Sequence, residues 1–448
     1  MATASPFFQS KSITNNGQLR VLIVGACIGG LTAAIGLRAE GHNVTMFERS
    51  ALAQETGAAM HLAPNCHGLL QRFDIFPETF GANKTNGIVE FDHEGNLRMS
   101  KDLRQDNSKW PHVRNPTWVL CHRVHLHEAL KESATSQARQ GTPVILATSS
   151  PVVDVDVAST TVTLADGSWF SGDLILGADG VSSVTRRAVI GNTIKPFGSG
   201  KAAFRFLIPK QKIMDHPELK RLVQNDSFMV FWYGKDRRIV MYPCVDNTVM
   251  NLVAMHPCEL SQSQGEGFDH RGSKQNLPDV YADFCPNVQA LLNMVDENSL
   301  KLWTLLDMDR VPTWVRGKVA LLGDAAHPFL PYQGQGGGVA IEDAVTLCAL
   351  LPRGTSIDEV EDRLRLYEQI RDDRAHRIQD FTRWAGRDLD DHADARFDSK
   401  ILFTSGTALS NLRQSRSSLS TILVMTRGTV LRKHWTIGSL YRLRKAAV

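Results

Sequence analysis

An aspartate at the end of a short apolar run, with a cluster of glycines further on, is the first place where residue types and spacing could do chemistry. The stretch Lys318 to Ala344 reads K-V-A-L-L-G-D-A-A-H-P-F-L-P-Y-Q-G-Q-G-G-G-V-A-I-E-D-A. Val319–Leu322 has the composition of a buried strand that stops at Gly323 and Asp324. Two prolines and the glycines then make a loop, and Val339–Leu351 has the composition of a helix. Free backbone N–H groups and the positive end of a helix dipole meet at such a loop, which suits an anion or a polarised ring oxygen. A plain glycine-rich surface loop would account for the glycines, but not for an aspartate placed at the strand end.

A second constellation lies near the start of the chain. Val21-Leu22-Ile23-Val24 is a buried-strand pattern, followed by Gly25-Ala26-Cys27-Ile28-Gly29-Gly30 and a helical run, Leu31–Glu40. Gly41 ends that run, and Asn43–Phe47 forms a second strand finishing at Glu48. This is a β-α-β unit with a dinucleotide-binding fingerprint. Gly25, Gly29 and Gly30 would seat a pyrophosphate on the helix N-terminus, and Glu48 would accept from a ribose hydroxyl. Cys27 stands in the place of the fingerprint's second glycine, the one that lets the backbone approach the phosphates. A third constellation, Leu174-Ile175-Leu176-Gly177-Ala178-Asp179-Gly180, runs a strand into an Asp-Gly turn before a basic helix start, Val184–Arg187. Its placement between the other two gives that turn its weight.

The pattern G-D-A-A-H-P…P-Y-x-G-Q-G-G-G…E-D-A resembles the G-D motif of the single-component (group A) FAD-dependent aromatic hydroxylases, which include salicylate and p-hydroxybenzoate hydroxylases. G-A-D-G-x-x-S-x-x-R, from Gly177 to Arg186, resembles the D-G motif of the same family. The resemblance implies that Asp324 binds the ribityl chain of FAD and that the backbone around Gly336, Gly337 and Gly338 faces the isoalloxazine ring. It implies that the Pro331 carbonyl lines the reaction site, and that Asp179, with Arg186 and Arg187, serves FAD and NAD(P)H. Glu55–Leu62 resembles the family's G-A-G-I turn, with Ala59 in place of a glycine and its backbone as the FAD contact. Cys121–Leu130 resembles an R-x-x-L-x-x-x-L segment in which Arg123 contacts the cofactor. Ala203–Pro209 and Phe231-Trp232-Tyr233 resemble a subgroup of fungal-type secondary-metabolite monooxygenases, where an arginine and a tyrosine hold a substrate phenolate. Arg205 and Tyr233 take those places here. Arg205 pairing a surface acid and Tyr233 packing in a core is the competing view of the same residues.

The implied chemistry is reduction of bound FAD by NAD(P)H, reaction with O2 to a C4a-hydroperoxyflavin, and oxygen transfer to an activated, phenolic ring. Epoxidation of an alkene or indole and decarboxylative hydroxylation remain open on the same scaffold. So do a flavin dehydrogenase that inserts no oxygen and a flavin-binding module without catalysis. Only one dinucleotide unit is visible, so NAD(P)H is expected to bind transiently.

The elements that must position these residues follow from composition and order. With 448 residues the chain has room for two domains or one composite, and 42% hydrophobic with 22% charged residues is ordinary for a globular enzyme. A net charge of +3 without a basic stripe argues against nucleic acid. Seven scattered cysteines, never spaced C-x-x-C, argue against a disulfide framework or zinc and for a reducing, cytoplasmic setting. His122, His125 and His127 do not share one helical face, so they are expected as helix-end or solvent-facing residues rather than metal ligands. No run reaches the ~18–20 apolar residues that span a bilayer, so no membrane partner is expected.

The fold class expected is α/β: a Rossmann-like FAD-binding domain, an inserted, mostly antiparallel β-sheet substrate domain, and a helical C-terminal region. A loose tail over 1–18 precedes an FAD-binding domain assembled from 19–80, 118–195 and 311–352. Mixed strands and loop, with turn signals at Asn96 and Trp110-Pro111, occupy 81–117. A substrate domain covers 196–310, and a helical region with a tail covers 353–448. Thr161–Leu164 and Trp169-Phe170 flank Asp166-Gly167 as a hairpin with a type I′ signal. Ile357–Asp388 is a charged helical pattern with Leu364, Tyr367, Ile370, Ile378 and Phe381 near one face. The tail from Ser405 is expected to pack as helix or to be partly ordered. The partners expected are a small aromatic substrate and O2.

Overall fold

The apolar run Arg20–Val24 lies inside a parallel sheet, paired on one side with Asn43–Phe47 and on the other with Leu174–Gly177. Leu174–Gly177 pairs in parallel with Val319–Leu321, and Asn43–Phe47 with Ile145–Ala147. A short antiparallel edge, Val315–Arg316, completes the six strands. Strands covered on both faces must be apolar throughout, which is why these read as continuous hydrophobic runs. The order places four of the motifs side by side. Gly25 follows Val24, Glu48 follows Phe47, Ala178-Asp179 follow Gly177, and Gly323-Asp324 come just after Leu321. All four leave the carboxyl ends of adjacent parallel strands, where ligands bind in open α/β sheets.

The computed structural model describes residues 17–52, 59–104, 117–261, 270–271 and 274–387. The turn at Gly57-Ala58, the Trp110-Pro111 pair, most of the N-terminal tail and the chain after 387 lie outside the described residues.

A second sheet has eight strands in the order His270–Arg271, Lys301–Asp307, Phe197–Pro209, Val249–Pro257, Arg238–Cys244, Phe228–Tyr233, Gly87–Asp92 and Leu97–Asp102. Gly87–Asp92 and Leu97–Asp102, expected as short strands at a junction, are thus part of this sheet. Gly87–Asp92 makes its one parallel pairing, beside Phe228–Tyr233. Gly87 is needed there, because a Cβ would lie 2.2 Å from the Phe228 ring. Period-two alternation divides the faces. Phe204, Phe206, Trp232, Ile239, Met241, Leu252 and Ala254 turn one way and pack against short helices including Asn276–Val280 and Pro286–Asn293. Ala203, Met229, Val240, Tyr242, Val253 and Met255 turn the other way.

Several local expectations change. The helix of the fingerprint begins at Ile28, because Cys27 takes the N-cap position with its thiol facing the Gly30 N–H at 3.5 Å. The Thr161–Leu164 hairpin does not use a type I′ turn. Gly167 alone of the Asp-Gly pair has a positive φ, 86°, while the Gly167 N–H bonds the Leu164 carbonyl and the Leu164 N–H bonds Ser168. That is a three-residue loop, a type I turn closed by a left-handed glycine.

The long C-terminal helix, Val360–Ala385, follows a capping box between Ser356 and Glu359. Leu364 and Tyr367 are buried as expected, but Ile370, Ile378 and Phe381 are only partly so. The buried stripe is instead polar: Arg371, His376, Gln379 and Thr382. These side chains reach the loop after Leu321. Gln379 donates to the Pro328 carbonyl at 2.9 Å and Thr382 to Leu330 at 2.6 Å, and the Tyr367 hydroxyl donates to Leu321 at 2.9 Å. All seven cysteines are free. No helix among the described residues is long and apolar enough to cross a membrane.

Asp343, in the helix Gly336–Leu350, is the centre of this attachment. One of its oxygens accepts from the Gly323 N–H at 3.0 Å and meets His327 Nε2 at 2.7 Å. The other accepts from Arg371 Nε at 2.8 Å. Burial alone would raise its carboxyl, yet His327 and Arg371 outweigh that and hold it below the usual carboxylate range. A depressed carboxylate contributes stability that is full above its unfolded pKa of ~4 and is lost as pH falls through the lower folded value. Asp343→Asn is therefore expected to cost about 3–5 kcal/mol, read as a lower melting temperature at neutral pH. The gap between variant and wild type should close as the pH falls below about 4; a gap that widens there would refute the assignment.

Candidate functional site

Four turns at the sheet's carboxyl edge build a crevice, and their close packing is set by glycine. Gly25 has φ of +98°, and a Cβ on it would lie 2.4 Å from the Ala178 carbonyl. A Cβ on Gly30 would lie 2.3 Å from the Gly25 carbonyl, and one on Gly29 would press Leu322 and Ala340 at about 3 Å. The fingerprint helix therefore sits directly on both the Ala178-Asp179 turn and the helix Gly336–Leu350. Cys27 has φ of −77°, which any residue adopts, and its thiol donates inward to the Ala178 carbonyl at 3.2 Å. Its inward contact shows how a cysteine replaces the expected glycine without straining the turn.

Glu48 closes the far end of this turn. One carboxylate oxygen accepts from the Ala26 N–H at 2.9 Å and the other from Ser50 N–H at 2.8 Å. Each oxygen keeps lone-pair capacity for a further donor such as a ribose hydroxyl. His127 does not face solvent: it is buried, and its Nε2 meets the Ala26 carbonyl at 2.7 Å, steadying the same turn.

Asp179 is committed to its own turn. Its oxygens accept from the Ser183 hydroxyl at 2.5 Å and from the Thr185 N–H at 2.9 Å and hydroxyl at 3.1 Å. Arg186, the motif's arginine, is buried and donates to Ala325 O at 3.1 Å and to the Val181 carbonyl. Together they lock the Asp179 turn against the Asp324 turn.

Asp324 differs from its neighbours because its carboxylate has no hydrogen bond or ion pair to any described residue, and it is exposed to the crevice. The surrounding protein nonetheless withdraws enough water to raise its carboxyl, against the pull of His327, Arg123 and Arg186. Arg123, at the start of the helix Arg123–Thr135, acts electrostatically on Cys27, Asp324 and Arg205 alike, so it lies where the crevice meets the second sheet. Gly336, Gly337 and Gly338 form the first turn of the Gly336–Leu350 helix, which no side chain caps. A Cβ on Gly337 would lie 2.6 Å from Met60, and one on Gly336 would sit 4.0 Å from Asp324. An unpartnered carboxylate, two helix N-termini and an acceptor glutamate along one crevice fit a dinucleotide with a polyol arm. Those residues could hold FAD.

Ala59 also ties the crevice to the large sheet. Its N–H donates to Asn251 Oδ1 at 3.0 Å and its carbonyl accepts from the Tyr242 hydroxyl at 2.8 Å. Both polar groups of its backbone help bind the small strand Ala59–Leu62 to the large sheet, so the N–H is already committed while the carbonyl keeps one lone pair.

Beyond the crevice lies a cavity of about 220 Å³ between the large sheet and the loop Pro331–Gly334. Its walls are apolar over Ile88, Met229, Phe231, Val240, Val253 and Met255. Arg205 and Tyr233 both line it, as does Pro331. Arg205 pairs no acid among the described residues: its Nε is buried without a partner, and the guanidinium lies over the Trp303 ring at 5.4 Å. Burial lowers its pKa, and Tyr242, not Tyr233, is the tyrosine that interacts with it. Tyr233 lies elsewhere in the cavity, donating to Glu90 at 3.4 Å under the guanidinium of Arg238, 4.9 Å from its ring. The two residues expected as a pair are thus separated, and burial raises both Tyr233 and Tyr242 above the usual phenol range. The Pro331 carbonyl accepts from the Gly334 N–H at 3.1 Å, closing the loop that faces the cavity.

His61 anchors that loop. Its Nδ1 accepts from Trp118 Nε1 at 2.9 Å, which leaves Nε2 to donate to the Gln333 carbonyl at 2.9 Å. Burial pushes its pKa down to about 4, so the ring is neutral and keeps that tautomer. Sequence reading missed His61, Tyr242, Glu90 and Asp343. Tyr242 was signalled by alternation, since Arg238, Val240 and Tyr242 share one face of a strand. Glu90 carried no comparable signal, because its neighbours come from a strand far away in sequence.

A family model described as an FAD binding domain matches residues 18–382. Hispidin-3-hydroxylase of Neonothopanus nambi is 35% identical over 369 residues, covering 80% of this chain and 86% of that protein. The FAD-dependent monooxygenase cfoG of Aspergillus candidus is 31% identical over 369 residues, covering 81% of this chain and 84% of its own. A salicylate hydroxylase substrate complex shares the fold with a TM-score of 0.70 at 21% identity, covering 92% of this chain and 98% of that one. The match spans both sheets and every turn of the crevice, and on it the chain belongs to the group A FAD-dependent aromatic hydroxylase family, with a salicylate hydroxylase-like fold, and is an FAD-dependent monooxygenase.

Proposed function

We propose that this enzyme hydroxylates a phenolic ring held in the 220 Å³ cavity with its oxygen ionised against Arg205, using NAD(P)H and O2. The observation that carries the reading is the Arg205 guanidinium, which faces an apolar cavity with no acid beside it. An arginine stays charged through the working pH range, so an unpaired one in such a place calls for an anion. A phenol bound there ionises more readily than in water, because the nearby charge favours its charged form. The ionised oxygen pushes electron density into the ring and makes its ring carbons better nucleophiles.

Bound FAD, reduced by NAD(P)H, supplies the oxygen-activating chemistry. The chain's own residues do the rest. Glu48 and the N-terminus of the Ile28–Ala39 helix would hold the adenosine and diphosphate, and Asp324 would hold the ribityl hydroxyls. Gly336, Gly337 and Gly338 would let a helix N-terminus approach the flavin ring without side chains in the way. The loop from Pro331 to Gly334, tied down by His61, forms one wall of the cavity and would help keep water from a ring bound beside it. Keeping water out matters because the reactive oxygen must reach the substrate before it is lost. The hydroxylating role in the name of the hispidin-3-hydroxylase relative supports hydroxylation over epoxidation.

Oxygen isotope incorporation in a screen of phenols and their O-methyl ethers tests this directly. Labelled oxygen should enter the phenols and not the ethers; equal incorporation into both would refute an ionised-oxygen mechanism. Arg205→Gln should keep its flavin while KM for the phenol rises ~10–100-fold, the worth of one hydrogen bond to a charged group. An unchanged KM would remove Arg205 from the site. Asp324→Ala should weaken FAD binding by a similar ~10–100-fold, read as loss of yellow colour on dialysis. A variant that stays fully yellow at dilute concentration would show that Asp324 does not bind the cofactor.

A further inference from the structure

One cross-strand row of the large sheet reads Arg205, Val253, Val240, Phe231, Glu90. All five side chains line the cavity. The row is therefore a floor with three apolar residues in the middle, a donor at one end and an acceptor at the other. Arg205 has no acid partner among the described residues. Glu90 has no ion pair among the described residues, and its one hydrogen bond, from Tyr233, is long at 3.4 Å. Burial raises its carboxyl, only partly offset by Arg98, Tyr233 and Arg238. Two under-satisfied polar groups of opposite kind at the ends of one apolar floor are costly unless something bridges them.

Four strand steps separate the two residues, and at ~4.8 Å per step their main chains are roughly 19 Å apart. Side chains stand roughly perpendicular to a sheet, so much of that separation persists between guanidinium and carboxylate. A single ring bound at Arg205 leaves Glu90 unmatched. We infer that the substrate is an extended phenol of at least two rings, with its ionised oxygen at Arg205 and a hydrogen-bond donor at its far end for Glu90. This rests on the phenol reading above and adds Glu90 as the residue that selects length and distal chemistry. Val240, Val253 and Phe231 then contact the faces of the rings, and Arg98 and Arg238 oppose the rise that burial imposes on the Glu90 carboxyl.

Binding, not turnover, tests it. FAD-loaded enzyme is titrated with 4,4′-dihydroxybiphenyl and with 4-hydroxybiphenyl, following the visible flavin absorbance. The diol should bind roughly tenfold or more tightly than the mono-ol, as expected for one added hydrogen bond to a carboxylate. Glu90→Leu should weaken the diol by that factor and leave the mono-ol unchanged or tighter. Equal affinities in the wild type, or no binding of either, would overturn the inference whether or not the variant folds. So would a Glu90→Leu effect of the same size on both ligands. Labelled-oxygen incorporation reports on the phenol reading separately. Diol-selective binding without hydroxylation would sink that reading alone, and hydroxylation without diol selectivity would sink only the role of Glu90.

Discussion

The buried carboxylate of Asp343 is the constraint on which the rest of the site depends. Removing a carboxylate from water costs several kcal/mol, and that cost is met only when every lone pair finds a good partner. Here three partners come from two places: Gly323 and His327 in the turn after the sheet, and Arg371 on the last helix. Next to it Glu342 is pulled well below the usual carboxylate range by Arg374 and Arg371, with burial opposing. Glu342 also accepts from Asn65 at 2.5 Å, which brings in the helix Pro64–Leu70. The pair E-D in the motif is thus the joint between the turn, the helix whose N-terminus faces the crevice, and the C-terminal helix. With those atoms tied internally, Asp324 is left as the carboxylate of the turn with nothing but the crevice to face.

The same reasoning connects the two sheets. Asn251 and Tyr242 project from the large sheet and take the backbone of Ala59, so the strand Ala59–Leu62 belongs mechanically to both halves. Met60 on that strand touches the Gly337 position, and His61 holds Gln333. Cofactor crevice and cavity are thereby kept at fixed spacing by a few hydrogen bonds. Oxygen transfer requires such spacing, since small errors in the position of reacting atoms lower rates steeply.

Most of the parallel sheet and its turns were legible in the sequence because each depends on local rules. Buried strands are short apolar runs, glycine marks a left-handed or crowded turn, and an acid at a strand end follows a β-α-β unit. What was not legible depends on long-range pairing. Gly87–Asp92 joins the large sheet only through Phe228–Tyr233, so nothing near Glu90 in sequence shows that it faces Arg205 across three strands. The C-terminal helix misled for a related reason. Its apolar residues suggested one face, but the buried stripe carries Gln379 and Thr382, whose partners are carbonyls of a loop some fifty residues earlier, and Arg371, whose partner is the Asp343 carboxylate on the preceding long helix. Tyr233 was matched to a short family pattern, while the tyrosine beside Arg205 is Tyr242, on a neighbouring strand. A pattern of a few residues does not fix register between strands.

Arg205 and the Asp343 cluster are opposite solutions to one problem. Around Asp343 each buried charge has counter-charges and hydrogen bonds, and the result is a rigid joint. At Arg205 the chain buries a charge without an acid and accepts a less stable resting state. Natural sequences break local rules of this kind chiefly where function requires it. Had an aspartate stood at Val253, directly opposite Arg205 in the register, the sheet would gain an ion pair and the Arg205 guanidinium would no longer be free to meet a ligand. The apolar residue at that position keeps the guanidinium available, and that choice, more than the presence of the arginine itself, leaves a cation facing the cavity.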